Sequence, residues 1–142
     1  LVDMARTYSV GPMPAKMEEA YDHAVAVLRA IEAGIRPGAV AGDLYAAGLA
    51  VAAATPYAEN FMGPPGYNTK FIGHGIGIEV DEFPFVAKGT PTVLAPGMVF
   101  ALEPKFVFPG EGAVGLENTY LVTADGFETL TPLDEGVLRC DG

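Results

Sequence analysis

The sequence predicts an α+β fold in which two helices come first and an antiparallel sheet follows. Apolar or small residues recur at spacings of three and four over residues 17–31, and this period indicates an amphipathic helix. A second helix, rich in Ala and Gly, is predicted over residues 40–51. Over residues 98–131, apolar runs are separated by the turn sequences PGEG and DG, which predict a meander of strands. Helices and strands occupy separate parts of the chain, as is typical of α+β domains.

Local signals set the expected limits of these elements. Residues 1–10 mix β-branched, aromatic and polar side chains and end at a Gly-Pro pair, so we expect the end of a strand there. The first helix should start at Pro14, and Gly34 is expected to end it as the C′ residue. The second helix should end before Thr55, because a residue that precedes proline is disfavoured in a helix. Its many small residues predict close packing.

Residues 57–91 contain many glycines and prolines and show no sustained period. This pattern indicates loops with short strands. Because loops often carry binding and catalytic residues, a functional site is expected to draw on this segment.

The composition excludes several classes of function. The chain has 142 residues, 50% of them hydrophobic, which suffices for one folded domain. Acidic residues number 18 against 8 Lys and Arg, for a net charge of −10, so we expect no nucleic-acid partner and no membrane partner. The single cysteine, Cys140, rules out an internal disulfide and a zinc-thiolate cluster, and it suits a cytoplasmic location.

Two glutamates are expected to face each other across the predicted hairpin. If its strands pair about Gly110, then Glu103 lies directly opposite Glu117, among apolar neighbours. Like charges in this arrangement are destabilising, so a shared proton or a cation between the carboxylates should compensate. Alternatively, the turn is offset or one of the glutamates faces solvent.

His74 and Asp3 are candidates to complete a metal site. His74 lies in FIGHGIGIEV, where the flanking glycines leave the backbone uncrowded, and Asp3 lies in VDMART. An imidazole combined with carboxylates suits Mn, Co, Fe or Zn rather than metals that select thiolates. The alternative for a lone histidine in a Gly-rich loop is a structural hydrogen bond.

Four short motifs occur in a recognisable order: DMART, GHGIGIEV, PGMVFALEP and GLENT. Together they resemble the pita-bread metallopeptidases, a family that includes methionine aminopeptidase, Xaa-Pro aminopeptidase and Xaa-Pro dipeptidase. The similarity extends over residues 3–131, with the two predicted helices between the first motif and the second.

The resemblance implies a partial pita-bread fold, with two helices packed on a curved, mainly antiparallel sheet, and a site for two divalent ions of Mn, Co, Fe or Zn. Asp3 and Glu117 match the bridging carboxylates of the family, and His74 and Glu103 match terminal ligands of one ion. The family's remaining aspartate would lie upstream. Residues 1–142 are therefore expected to be the C-terminal part of a catalytic domain, without its first strands or any N-terminal domain, and to hold at most one ion well.

The activity implied is hydrolysis of peptide bonds, as in an Xaa-Pro dipeptidase or aminopeptidase, by a water that the metal ions activate. Glu103 is the candidate for proton transfer beside that water. The substrate would be a peptide or dipeptide, the protein is expected to be a homodimer, and this part of it alone is expected to be inactive. The alternatives are a metal-free hydrolase of the creatinase type and a non-catalytic binding module; the retained ligands argue against both.

Asp81 departs from the family pattern. It lies in VDEFP, where catalytic members usually carry a histidine that donates a hydrogen bond to the substrate or intermediate. An ionised aspartate only accepts hydrogen bonds, whereas a protonated one can still donate. Asp81 is the candidate catalytic residue at this position, and we expect that the reaction is slower, that the substrate differs or that another donor takes the place of the family histidine.

Lys105 and Gly115 form a paired departure. Family members often have glycine and arginine at these respective positions, and pairing about Gly110 makes the two residues cross-strand partners. A positive charge has thus moved to the opposite strand. We expect Lys105 to balance the carboxylates or to bind a substrate carboxylate; the alternative is a surface lysine beside a bulge glycine.

Aromatic residues in the Gly- and Pro-rich segment are candidates for the walls of a proline pocket, with ordinary core packing as the alternative. They are Phe61, Tyr67, Phe83 and Phe85.

Overall fold

The computed structural model describes residues 1–140, and its helices lie where the sequence predicts them. Helix α1 spans Ala15–Glu32, helix α2 spans Ala41–Ala53, and a short 3-10 helix spans Ala58–Asn60. α1 begins directly after Pro14, whose fixed φ of −60° suits the entry to a helix. The predicted apolar stripe is buried along α1: Met17, Tyr21, Ala24, Leu28 and Ile31. Within residues 1–140, no helix has both the length and the apolar character needed to cross a membrane.

The C-terminal end of α1 lies where the sequence predicts it, with Gly34 at the C′ position, but the geometry there differs from a left-handed cap. Its cap is Ala33, which has right-handed backbone angles, and Gly34 does not adopt the left-handed conformation of a C′ residue. The Gly34 N–H instead donates to the Ile31 carbonyl at 3.0 Å, which tightens the last turn. A Cβ on Gly34 would lie 2.6 Å from Cδ2 of Leu44 on α2. The absence of a side chain at Gly34 thus leaves room for the side chain of Leu44 rather than serving a left-handed cap.

Close packing of α2 depends on a second small residue, as the sequence predicts. Gly48 is buried on the face of α2 that meets α1, and a Cβ there would lie 2.7 Å from Cδ1 of Ile31. The same Cβ would lie 3.3 Å from Cδ1 of Ile72 in the sheet. Gly48 thus lets two layers approach α2 at the same point.

The strands of the described residues are β1 Tyr8–Val10, β2 Phe71–Gly75, β3 Glu82–Ala87, β4 Val99–Leu102, β5 Lys105–Phe108, β6 Gly112–Gly115, β7 Asn118–Val122, β8 Phe127–Thr129 and β9 Leu138–Cys140. They fall into three groups. A five-stranded antiparallel sheet has the order β3-β2-β4-β7-β8, β5 and β6 form a separate antiparallel hairpin, and β1 pairs in parallel with β9. α1 packs on α2 and on the β5–β6 hairpin, while α2 packs on β2 and β3.

The predicted hairpin register is confirmed, but each of its long strands is divided in two. Lys105 pairs with Gly115 in the β5–β6 hairpin, and Leu102 pairs with Asn118 between β4 and β7. Both pairings keep the register centred on Gly110. The ladder is interrupted between the two parts, where Glu117 forms an isolated bridge with Ala5 instead. This interruption is where the two glutamates lie.

Substitution of Gly48 by valine should destabilise the protein, because the added side chain must displace Ile31. We expect the free energy of unfolding to fall by about 1–3 kcal/mol, the usual cost of overpacking a core. Ala46→Val on the exposed side of α2 is the matched control, with an expected cost below about 1 kcal/mol from helix propensity alone. Urea unfolding measures both, and equal losses in the two variants would contradict the proposed packing.

Candidate metal centre

His74 is positioned by β2, which lies between β3 and β4. The flanking glycines allow the neighbouring strands to approach: a Cβ on Gly73 would lie 2.2 Å from the Ala101 carbonyl oxygen, and one on Gly75 would lie 2.3 Å from that of Phe83. The imidazole is consequently held in a narrow space and is only 5% exposed. The expectation that the backbone beside His74 is uncrowded was wrong, because these two glycines make room for the backbone of the neighbouring strands rather than for a ligand.

One ring nitrogen of His74 points toward backbone and the other toward Glu117. Nδ1 lies 3.2 Å from the Gly75 carbonyl oxygen, to which it can donate as N–H. Nε2 lies 3.8 Å from Oε1 of Glu117. When Nδ1 carries the proton, Nε2 presents its lone pair toward the carboxylate, and this is the tautomer that binds a metal ion through Nε2.

Asp3 is brought to the same place by the N-terminal segment. Ala5 and Glu117 exchange two backbone hydrogen bonds, with N···O distances of 3.3 and 3.0 Å. The Thr119 hydroxyl accepts from the Asp3 N–H at 2.9 Å and donates to the Asp3 carbonyl at 2.7 Å. These contacts fix the backbone of Asp3 beside β7, so that its carboxylate lies next to that of Glu117.

Three of the predicted ligands converge. Asp3, His74 and Glu117 each offer a ligand atom, and these atoms lie within 4.8 Å of one another. Glu117 is 8% exposed; its burial, together with the charges of Asp3 and Glu103, raises the pKa of its carboxyl from 4.5 to about 7. This set of one imidazole and two carboxylates, with Asp3 half-buried and the other two residues buried, fits a divalent cation, whose charge would offset the repulsion between the carboxylates.

Glu103 lies beside this cluster but outside it. Its backbone N–H donates to the Ile72 carbonyl at 2.9 Å, which ties the end of β4 to β2. Its carboxylate is near enough to raise the pKa of Glu117, yet it makes an ion pair with the ammonium of Lys105. The charge of Lys105 also acts on Glu117, in the opposite direction. Glu103, the fourth predicted ligand, is thus paired with Lys105, one of the residues that depart from the family pattern.

Asp81 lies on the other side of the imidazole. Its Oδ1 is 3.8 Å from Nδ1 of His74, and its side chain is 56% exposed. Asp81 therefore lies at the mouth of the site, where solvent reaches it, whereas Glu117 lies at the buried end. The distance to Nδ1 is longer than a hydrogen bond.

Arg6 is a residue of this region that sequence reasoning missed. Its guanidinium donates to the Glu117 carbonyl at 2.8 Å and to Oδ1 of Asn118 at 2.8 Å, and it also reaches carbonyls of the segment at residues 131–134. It thereby joins the N-terminal segment, the start of β7 and the C-terminal segment. The available signal was an arginine shortly after a predicted ligand in an acidic chain, but its partners are distant in sequence.

The four aromatic candidates for a proline pocket lie in different surroundings. Phe61 is buried against Phe106, with ring centroids 5.3 Å apart, so it belongs to the core. Phe85 lies between Phe71 and Phe83, and Phe71 packs edge-on to the imidazole of His74 at 6.1 Å. These rings form an apolar ridge from the site to β3. Tyr67 is 84% exposed and is not one of these packed rings.

The structure defines a candidate centre for a divalent metal ion on a scaffold of two helices and a mainly antiparallel sheet. Comparison with known proteins shows the family to which the chain belongs. Residues 1–124 match the model of metallopeptidase family M24, and the chain belongs to that family. The resemblance to the metallopeptidases that the four sequence motifs indicate is therefore confirmed.

Individual relatives agree with this assignment. The probable dipeptidase PepE of Mycobacterium tuberculosis is 38% identical over 124 residues, which cover 87% of this chain and 31% of the relative. An Xaa-Pro dipeptidase of Lactobacillus delbrueckii subsp. lactis is 36% identical over 130 residues, 91% of this chain and 33% of the relative. The chain thus spans about a third of the length of these relatives.

A solved structure confirms the predicted fold class. The crystal structure of dipeptidase PepE from Mycobacterium ulcerans matches 96% of this chain and 35% of its own chain with a TM-score of 0.86 and 30% identity. The α+β architecture of two helices on a curved, mainly antiparallel sheet is that of the pita-bread peptidases.

The raised pKa of Glu117 predicts that the protein without metal loses stability as pH rises. Below pH 4.5 the carboxyl is protonated in both the folded and the unfolded states; between pH 4.5 and about 7 it ionises only in the unfolded state. The free energy of unfolding should therefore fall by about 3 kcal/mol across this range through Glu117 alone.

Urea unfolding of EDTA-treated protein at a series of pH values measures this effect, with Glu117→Gln as the control. The amide stays neutral, so the difference between the two proteins should change across this interval and become constant above pH 7. Parallel profiles for the two proteins would show that the buried carboxyl does not titrate as described.

Proposed function

We propose that the protein containing this chain hydrolyses peptide bonds, Xaa-Pro dipeptides in particular, at a centre of two divalent metal ions. Asp3, His74, Glu103 and Glu117 would be its ligands from this chain. The convergence of ligand atoms from Asp3, His74 and Glu117 within 4.8 Å carries the proposal. Membership of metallopeptidase family M24, and relatives named Xaa-Pro dipeptidase, support the reaction.

The donor set favours a metallopeptidase over the two alternatives. A metal-free hydrolase of the creatinase type, or a binding module, would have no need to bury Glu117 beside other carboxylates. Burial and the neighbouring charges destabilise the ionised form of this side chain, and a cation offsets that cost.

Bound metal ions would supply a water of lowered pKa and would polarise the scissile carbonyl. Glu103 is the group of this chain suited to moving a proton, because its carboxylate lies beside the cluster and is less enclosed than that of Glu117. His74 is held in one orientation by the flanking strands and would need no rearrangement to act as a ligand.

Lys105 is proposed to bind the carboxylate of the substrate. It lines a cleft of about 230 Å³ together with Glu103, Glu117 and Arg6. In an acidic chain this cleft brings two cations beside the candidate centre, which suits the free carboxylate of a dipeptide.

Asp81 is proposed to contact the substrate at the mouth of the site. An ionised aspartate accepts hydrogen bonds and donates none, so it favours a substrate group that carries N–H donors, such as the ammonium of a dipeptide. The apolar ridge of Phe71, Phe83 and Phe85 beside His74 is suited to the ring of a proline residue.

The proposed homodimer has support in exposed apolar side chains. Tyr8 and Val10 on β1, and Ile78 and Phe83 near the site, are each more than half exposed, and such side chains are common at contacts between subunits. A cytoplasmic location remains the expectation from the single cysteine.

Two substitutions in the full-length protein test the reaction. Glu103→Gln should lower kcat for an Xaa-Pro dipeptide by about 10²–10⁴-fold, the usual contribution of a proton-transfer group. His74→Ala should abolish hydrolysis and weaken binding of Mn²⁺, because it removes a ligand from the cluster. EDTA should abolish the wild-type activity, and added Mn²⁺ should restore it.

His23→Ala is the matched control, since His23 lies on α1 and its recorded ionic partner is Glu19. It should retain wild-type kcat and Mn²⁺ affinity. Undiminished hydrolysis in EDTA, or full activity of His74→Ala, would rule out the proposed centre.

A further inference from the structure

Lys105 occupies a position where the local backbone leaves little room. It is the first residue of β5 and pairs with Gly115 of β6. A Cβ on Gly115 would lie 2.7 Å from Cβ of Lys105 and 2.5 Å from the Pro104 carbonyl oxygen. The Thr7 hydroxyl also donates to the Gly115 carbonyl at 2.8 Å. A side chain larger than hydrogen therefore cannot face Lys105 here, and the lysine is the cation that this pair of strands can present.

The ammonium of Lys105 lies at the edge of the candidate centre, against the carboxylate of Glu103. It makes an ion pair with Glu103, and its charge opposes the effects of Asp3 and Glu103 on Glu117. The side chain of Glu103 is 17% exposed, so the pair is screened from solvent more than an ordinary surface pair. Lys16 and Glu111 provide the comparison, because the carboxylate of that surface pair is 53% exposed.

We infer that Lys105 is an internal counter-cation of the metal-free site, and that a divalent ion bound by the cluster displaces it from Glu103. The inference rests on the proposed metal centre. Without an ion, three carboxylates meet at the interruption in the ladder, and Lys105 is the cation paired with one of them. A divalent ion would neutralise the same carboxylates and would repel the ammonium, so the two cations compete for one set of charges.

If the two cations compete, then the effect of removing Lys105 on the affinity for a divalent ion is opposite to the effect of removing a lysine that supports metal binding. Removal of the ammonium should tighten binding of a divalent ion, because the ion no longer displaces a partner from Glu103 or meets its repulsion. The same removal should destabilise the metal-free protein, since repulsion among the carboxylates is then unopposed. The loss of stability should disappear when the ion is saturating.

Isothermal titration of the full-length protein with Mn²⁺ tests the inference. Lys105→Met should bind Mn²⁺ about tenfold more tightly than wild type. Lys105→Arg, which keeps the charge, and Lys16→Met, which removes a lysine of similar exposure paired with Glu111, should both bind as wild type does. Thermal unfolding of Lys105→Met should show a lowered Tm in EDTA and a wild-type Tm in saturating Mn²⁺.

A second measurement uses the wild-type protein and does not depend on how Lys105→Met folds. The rate of acetylation of individual lysines, followed by mass spectrometry, should rise at Lys105 on addition of Mn²⁺, because the ammonium leaves its ion pair. Lys16 should react at the same rate with and without the ion.

The possible failures can be told apart. Mn²⁺ binding by wild type, with equal or weaker binding by Lys105→Met or an unchanged acetylation rate at Lys105, would overturn the role of the lysine and leave the metal centre intact. Absence of Mn²⁺ binding by the wild-type protein would overturn both.

Discussion

Repulsion among acidic side chains at one interruption in the sheet is the constraint on which the rest of the site depends. The pairing between β4 and β7 and that within the β5–β6 hairpin share one register, so the residues that separate the two ladders lie on opposite sides of one interruption. Glu103 and Glu117 occupy that position, and the N-terminal segment adds Asp3. Backbone hydrogen bonds hold both glutamates in place: the Glu103 N–H donates to the Ile72 carbonyl, and Glu117 exchanges two hydrogen bonds with Ala5. Compensation must therefore come from a proton, a lysine or a metal ion.

The structure supports this cluster chiefly through backbone contacts. The Thr119 hydroxyl holds the backbone of Asp3 by one donated and one accepted hydrogen bond. The Arg6 guanidinium binds the carbonyl of Glu117 and joins it to the C-terminal segment. Such contacts leave the carboxylate oxygens free to serve as ligands. Thr119 and Arg6 thus hold the cluster together through its backbone and do not compete with a metal ion for the carboxylates. Lys105 is the exception, because it pairs with the carboxylate of Glu103.

Much of the fold followed from the sequence, because its signals are local. The period of α1 predicted five of its seven buried residues and missed Ala20 and Val27. The turn at Gly110 set the register that brings Glu103 and Glu117 to the same interruption. The end of α1 was predicted at the correct residue, but Gly34 does not form the left-handed cap, because a glycine after a helix can serve either a cap or close packing against a neighbour, here Leu44 of the next helix. The role of Arg6 was missed for a related reason, since its partners lie more than a hundred residues away.

Anomalous diffraction from crystals of the full-length protein grown with Mn²⁺ would locate the ion. We expect a peak among Asp3, His74, Glu103 and Glu117, with carboxylate oxygens at about 2.0–2.2 Å from the ion. Glu103 should bind the ion and no longer contact Lys105. A saturated crystal with no peak at this cluster, or with the ion bound elsewhere while Glu103 and Lys105 stay paired, would contradict the assignment of the site.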